Sequence, residues 1–187
     1  MTRELGRPLR RLKLKMTDDI VPLDAPGLAA DPGLAEALLA LNTAHEVELS
    51  PLTPTGLARL VETAFAAWRI GKGEAMVIAF DQAADYDSPN FLWFRDRYET
   101  FVYVDRVVVA SSARGRGHAR RLYEGLFAAA EQAGHRRIVC EVNSDPPNPQ
   151  SDAFHAKLGF AEVGAAHLPD RGKQVRYLER HLARASE

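Results

Sequence analysis

The sequence predicts an α/β fold. Segments with helical apolar spacing alternate with β-branched runs along the chain, and one strand–helix–strand crossover falls between Phe101 and Val142. A length of 187 residues is enough for one domain with a substantial core.

In chain order, Ile20 to Leu23 reads as a short first strand. "DPGLAEALLALNTAHE" then opens a helix, with Asp31 as N-cap and Pro32 at its first position. Leu34, Ala37, Leu38 and Leu41 follow at helical spacing. A second helix starts at Thr53 and Pro54 and carries the stripe Leu57, Leu60, Val61, Ala64, Phe65 and Trp68. "AMVIAF" (Ala75 to Phe80) is a buried strand. Asp81 to Glu99 has neither period, yet holds Tyr86, Phe91, Trp93, Phe94 and Tyr98. A connection this long is usually functional or disordered, and its aromatics argue against disorder. Phe101 to Val109 is a long strand. The helix from Gly117 to Ala133 buries Ala119, Leu122, Tyr123, Leu126, Phe127 and Ala130 and is stopped by Gly134. "RIVCEV" is a buried strand. Asn148 caps a short helix from Pro149, and strands at Ala161 to His167 and Gln174 to Arg180 complete the chain.

Composition narrows the function classes. Lys and Arg number 24 against 25 Asp and Glu, so no global charge points to nucleic acid or an anionic membrane. The exception is a basic arm over residues 1–16, read as a solvated or frayed terminus, with a basic recognition arm as the alternative. Cys140 is the only cysteine, which excludes a disulfide framework. No early apolar stretch resembles a signal sequence and none approaches membrane-spanning length, so the expectation is a cytoplasmic protein without a membrane partner. His45, His135, His167 and His181 show no metal spacing and are read as structural.

The most informative stretch is "VVVASSARGRGHARRLYEGL", Val107 to Leu126. A strand becomes a helix through Arg-Gly-Arg-Gly. Unpaired N–H groups and partial positive charge at a helix start attract phosphate, and glycines let it approach the backbone. Arg114, Arg116, Arg120 and Arg121 add positive field. These features point to a pyrophosphate-bearing ligand. The alternative is that Gly115 and Gly117 only permit a tight turn. The GxxxxGK[ST] nucleotide loop is absent. A dinucleotide fingerprint fits Gly115 and Gly117 but meets Arg120 at its third glycine, although Glu141 stands where a ribose-binding acid would lie. An NAD(P)-dependent oxidoreductase is therefore the remote alternative.

Two signatures resemble the GCN5-related N-acetyltransferase (GNAT) superfamily. Arg114, Gly117 and Ala119 within "RGRGHA" match its Arg/Gln-x-x-Gly-x-Gly/Ala loop. Asn148, Ser151, Phe154, Gly159 and Phe160 of "NPQSDAFHAKLGF" match its downstream segment, with His155 where the family usually has tyrosine. The resemblance covers Phe101 to the C-terminus. It implies a single domain over 1–187, with 17–100 as the acceptor-binding half and 101–187 as the acetyl-CoA-binding half. It also implies a mixed central sheet splayed between its fourth and fifth strands, with acetyl-CoA in the split. Val107, Val108 and Val109 would hold the pantetheine arm. The turn Arg114, Gly115, Arg116, Gly117, His118 and Ala119 would hold the pyrophosphate, and Asn148 would contact the pantetheine side. His118 has the alternative of a solvated side chain. Many relatives form homodimers, but no dimer seam is legible in this chain.

Acyl transfer to an amine needs a base for the amine and a proton for the departing thiolate. Glu141 on "CEVN" resembles the base of the ribosomal-protein N-terminal acetyltransferases, and a buried strand-end glutamate has its pKa raised. The alternative is a structural carboxylate paired with an arginine, and Glu99 and Asp105 are rival bases. His155 replaces the tyrosine that the family uses toward the thiolate, and imidazole can serve as acid there. The alternative is that it only packs near the cofactor. Cys140 reads as a buried, inert thiol. The acceptor is expected over the aromatic segment, with Tyr86, Trp93 and Phe94 binding a small-molecule or peptide amine. The same aromatics could instead plug the sheet end. A non-catalytic acyl-CoA-binding domain is the competing reading.

Overall fold

The computed structural model describes residues 19–183; the basic arm lies outside them. Seven strands form one sheet in the order β1-β2-β3-β4-β5-β7-β6. They are β1 (Ile20–Pro22), β2 (Ala66–Ile70), β3 (Ala75–Asp81), β4 (Val102–Val109), β5 (Arg137–Asp145), β6 (Ala161–Leu168) and β7 (Lys173–His181). Every pairing is antiparallel except β4 with β5.

Six helices cover the two faces. On one lie α1 (Ala25–Ala30), α2 (Pro32–Thr43), α3 (Pro54–Thr63) and α4 (Pro89–Arg95), packed over Met76, Ile78, Phe80 and Tyr103. On the other lie α5 (His118–Gln132) and α6 (Pro149–Lys157), over Val77, Val102, Ile138 and Cys140. Asp24, Asp31, Thr53 and Asn148 each cap a helix with a side-chain oxygen, as Asx and Thr residues ahead of a helix do.

Three segments differ from the sequence expectation. Asp24 and Pro26 open the additional short helix α1. The stripe running to Trp68 is broken at Thr63: α3 ends there, and Ala66–Ile70 pairs along β3 instead. Ladder pairing on both edges of β2 outweighs the continuing helical spacing. The long connection of 81–99 contains α4, whose Phe91 and Phe94 sit one turn apart and are fully buried.

Two features of the sheet make the site. Beyond Val102↔Ile138 and Tyr103↔Val139, β4 and β5 have no further register, although both strands continue. The edge of β4 from Val104 onward is therefore open toward β5. Secondly, Ile78 pairs with Arg106 while the adjacent Ala79 pairs with Val104, which leaves Asp105 as the extra residue of a β-bulge. The bulge inverts the strand's alternation. Val102 and Val104 face α5, but past Asp105 it is Val107 and Val109 that do so.

Candidate active site

The split between β4 and β5 is a cavity of about 460 Å³. Val107, Val108 and Val109 form one wall, and Arg114, Gly115, Gly117, His118 and Ala119 close its upper end. Asn148 and His155 enter from α6. The loop that reads as phosphate-binding and the downstream segment therefore meet across one cleft, as their order in the sequence implied.

The turn is shaped for an anion. Gly115 and Gly117 have φ of 77° and 76°, the left-handed region that side chains avoid. No atom lies within 4 Å of where a Cβ would stand on either, so the space above the backbone is open. Gly117 is the N-cap of α5 and has no side chain to cap it, so the first-turn N–H groups remain for a ligand. Arg114 and Arg120 line the cavity. Arg116 does not: its guanidinium turns toward the Ser112 carbonyl and Glu74. Arg121 is drawn away by Asp19. His118 is not solvated, being only 6 % exposed. Its Nδ1 accepts from Arg121, and its Nε2 lies 3.3 Å from the Glu74 carboxylate.

At the other end of the cleft, Glu141 lies on the α4 side of β5. Asn90 of α4 donates from Nδ2 to Glu141 Oε1 at 2.8 Å. Asn90 is itself oriented by Tyr177, whose hydroxyl donates to Asn90 Oδ1 at 3.1 Å. The buried Tyr103 hydroxyl faces this carboxylate and acts with Asn90 to favour its charged form, although Oε2 and that hydroxyl fall short of full hydrogen-bond geometry. Burial pushes the Glu141 carboxyl up to about 7, opposed by Tyr103 and Asn90. Among the described residues no arginine forms an ion pair with it. Asn90 was not legible as a site residue, because its segment shows no period and its partner lies 51 positions away.

The rival carboxylates are placed otherwise. Glu99 is exposed and lines neither cavity of the site. Asp105 is buried and already occupied: Tyr86 donates to its Oδ1 at 2.5 Å and Arg106 Nε to its Oδ2 at 2.6 Å. Neighbours on a strand ordinarily point to opposite faces, and the bulge is what lets Asp105 and Arg106 meet. Arg106 also donates to Asn42 Oδ1 at 2.6 Å, tying β4 to α2.

His155 is 4 % exposed. A carbonyl can only accept, so the 2.8 Å contact to the Ser151 carbonyl places a proton on Nδ1. In neutral imidazole Nε2 is then an acceptor, and the Tyr123 hydroxyl donates to it at 2.8 Å. Burial lowers the His155 pKa, which favours this neutral form. Tyr123 lines the cleft and lies against Cys140, and burial holds its hydroxyl well above the usual tyrosine range. The sequence showed Tyr123 only as part of an apolar stripe. Cys140 is a buried free thiol whose pKa is raised by desolvation.

A second cavity of about 310 Å³ adjoins the first. Glu141, Asp105, Arg106 and Asn143 line both. Tyr86 is in its wall. Trp93 and Phe94 are not, which corrects the expected acceptor wall. Phe94 is fully buried, and Trp93 stacks on Tyr177 with centroids 4.1 Å apart. Both pack on Tyr177 of β7.

Among the described residues, no group of three or more His, Cys, Asp or Glu side chains could hold a metal, and no helix is long and apolar enough to cross a membrane.

Comparison with known proteins agrees with this geometry. Residues 59–160, more than half of the chain, match the acetyltransferase (GNAT) family. A probable glucosamine 6-phosphate N-acetyltransferase 2 of Oryza sativa subsp. japonica is 36% identical over 62 residues, spanning 33% of this chain and 34% of that protein. That match thus covers about a third of the relative's length. The ribosomal-protein-S18-alanine N-acetyltransferase from Escherichia coli superposes with a TM-score of 0.60 at 16% identity, over 90% of this chain and 96% of that one. A chain of the NatC complex bound to Gag peptide and CoA gives 0.61 at 15% identity, over 88% and 98%. At these identities the structural likeness is one of fold. The extent of the family match, with the splayed sheet and glycine turn, makes this chain a member of the GNAT acetyltransferase family.

Proposed function

We propose that the protein transfers an acetyl group from acetyl-CoA to the nitrogen of an amine, with Glu141 as the base. One observation carries this reading: Glu141 stands where the two cavities meet, flanked by Asn90 and Tyr103, with a carboxyl pushed up to about 7 by burial.

The residues of the larger cleft fit the coenzyme. The open edge at Val107, Val108 and Val109 offers backbone groups to an amide-bearing arm, and the turn from Arg114 to Ala119 offers N–H groups to its pyrophosphate. Asn148 uses Oδ1 to cap α6 and leaves its amide N–H₂ for the ligand. Acetyl-CoA, when bound, supplies the activated thioester. The Glu141 carboxylate removes a proton from the acceptor ammonium and so frees its lone pair. Tyr123 is the hydroxyl on the coenzyme side: its single O–H rests on His155 Nε2 and turns from it to donate to the departing sulfur. His155 then acts through Tyr123 as a positioning residue, and not as the direct acid: its Nε2 holds the hydroxyl at the cleft until the O–H turns to the sulfur.

The test is the pH profile of wild type and Glu141→Gln. A base with a pKa near 7 is ionised above that value, so wild-type kcat/KM rises through about pH 7 and levels off. Glu141→Gln loses about 10²-fold or more in kcat, together with that limb. Unchanged turnover and an unchanged limb in the variant remove Glu141 from the chemistry. Coenzyme binding with no amine ever acylated favours the non-catalytic acyl-CoA-binding reading instead.

A further inference from the structure

The smaller cavity has a charge pattern that selects its occupant. Its inner end is Glu141. Asp105 and Arg106 beside it neutralise one another directly, at 2.6 Å. Its outer walls carry opposite signs. Glu46 and Glu48 come from the connection after α2, and Arg171 and Lys173 come from the β6–β7 hairpin. Among the described residues none of these four makes an ion pair.

The two cations are nonetheless held across the mouth. Arg171 reaches Ser50 Oγ at 3.5 Å, and the Lys173 ammonium donates to the Val47 carbonyl. Asn143 donates to the same carbonyl at 3.3 Å, so connection and hairpin are joined over the cavity. These partners are neutral and leave both positive charges uncompensated. A cavity with a cation pair that makes no ion pair at one end and the Glu141 carboxylate at the other fits a ligand that is itself two-signed.

We propose that this cavity takes a small zwitterionic acceptor: a primary amine whose skeleton also bears a carboxylate or phosphate. The anionic group docks on Arg171 and Lys173, and the ammonium points inward to Glu141. Glu46 and Glu48 favour entry with the ammonium facing their wall. A linear polyamine would set a second cation against Arg171 and Lys173. A peptide N-terminus carries no adjacent anion and would have to leave under the bridged roof. The proposal rests on the acetyl-transfer reading above and narrows it to a substrate class.

The experiment uses the full chain with acetyl-CoA and follows thiol release. The acceptor panel comprises free α-amino acids, hexosamine phosphates, uncharged hexosamines, a linear polyamine and a short peptide. Turnover is expected with an anion-bearing amine, and the amino-acid and phosphate arms tell carboxylate from phosphate. The double variant Arg171→Gln/Lys173→Gln then raises KM for that acceptor about tenfold or more, the loss of a charge-assisted contact. Its kcat, its KM for acetyl-CoA and its melting temperature stay near wild type. Arg171→Lys, which keeps the charge, retains most of the affinity. Preference for the polyamine, the peptide or the uncharged hexosamines overturns the zwitterion proposal while sustaining acetyl transfer. So does an unchanged KM in the double variant. Failure to acetylate any amine overturns both.

Discussion

Tyr123 and His155 show how one replaced residue is absorbed by a neighbour. The imidazole at 155 cannot extend as far as a tyrosine would, and its two nitrogens are taken by Ser151 and by the Tyr123 hydroxyl. The hydroxyl at the cleft therefore comes from α5, on a residue 32 positions earlier. Tyr123→Phe should lower kcat by about 10²-fold while leaving KM for acetyl-CoA close to wild type. His155→Phe leaves the hydroxyl in place but unoriented, so it should lose less kcat than Tyr123→Phe, with the double variant no worse than Tyr123→Phe alone. Steady-state kinetics of the three variants decides this; additive losses would mean that His155 acts separately. Glu141 and His155 were legible as candidates because each stands in a local motif. Asn90 and Tyr123 were not, because what marks them is a partner supplied by another element.

Elements are legible where their signals are local. The N-caps Asp31, Thr53 and Asn148 and the glycine turn before α5 each act within a few residues, and all lie where the sequence places them. The α3–β2 boundary and α4 were missed because ladder pairing and aromatic burial decided them, not spacing. The turn gives a prediction that separates backbone from contact. Gly117→Ala puts a side chain at φ 76° with nothing to clash against, so its stability cost is conformational, about 1–2 kcal/mol. The same methyl stands over the open ground where an anion would approach, so coenzyme A affinity should also fall several-fold. Thermal denaturation and calorimetric titration measure the two effects. A stability loss with unchanged affinity would show that the turn is only a turn.

The whole molecule is two antiparallel half-sheets joined by a short parallel contact. Between β4 and β5 only Val102↔Ile138 and Tyr103↔Val139 are in register, and the rest of the junction is held by side chains of both cores. A ligand that bridges the split binds the folded state alone. At about 100 times its Kd it adds about 2.7 kcal/mol of stability. Coenzyme A should therefore raise the melting temperature in a concentration-dependent way, and NAD(P) should not. A shift with NAD(P) alone would return the glycine turn to the dinucleotide reading that Arg120 argues against.

The α/β class, the order of most elements and the glycine turn follow from residues that are neighbours along the chain, so the amino-acid order is enough to find them. The bulge at Asp105, the setting of Glu141 between Asn90 and Tyr103 and the Tyr123–His155 contact depend on which distant strands and helices come together. Trp93 and Phe94 make the same point in reverse. Their aromatic spacing looked like an acceptor wall, and only the packing of α4 against Tyr177 of β7 buries Phe94 fully and lays the half-buried Trp93 on that ring. Periodicity reports that a side chain is apolar; burial against a particular partner decides whether it faces a ligand or the interior.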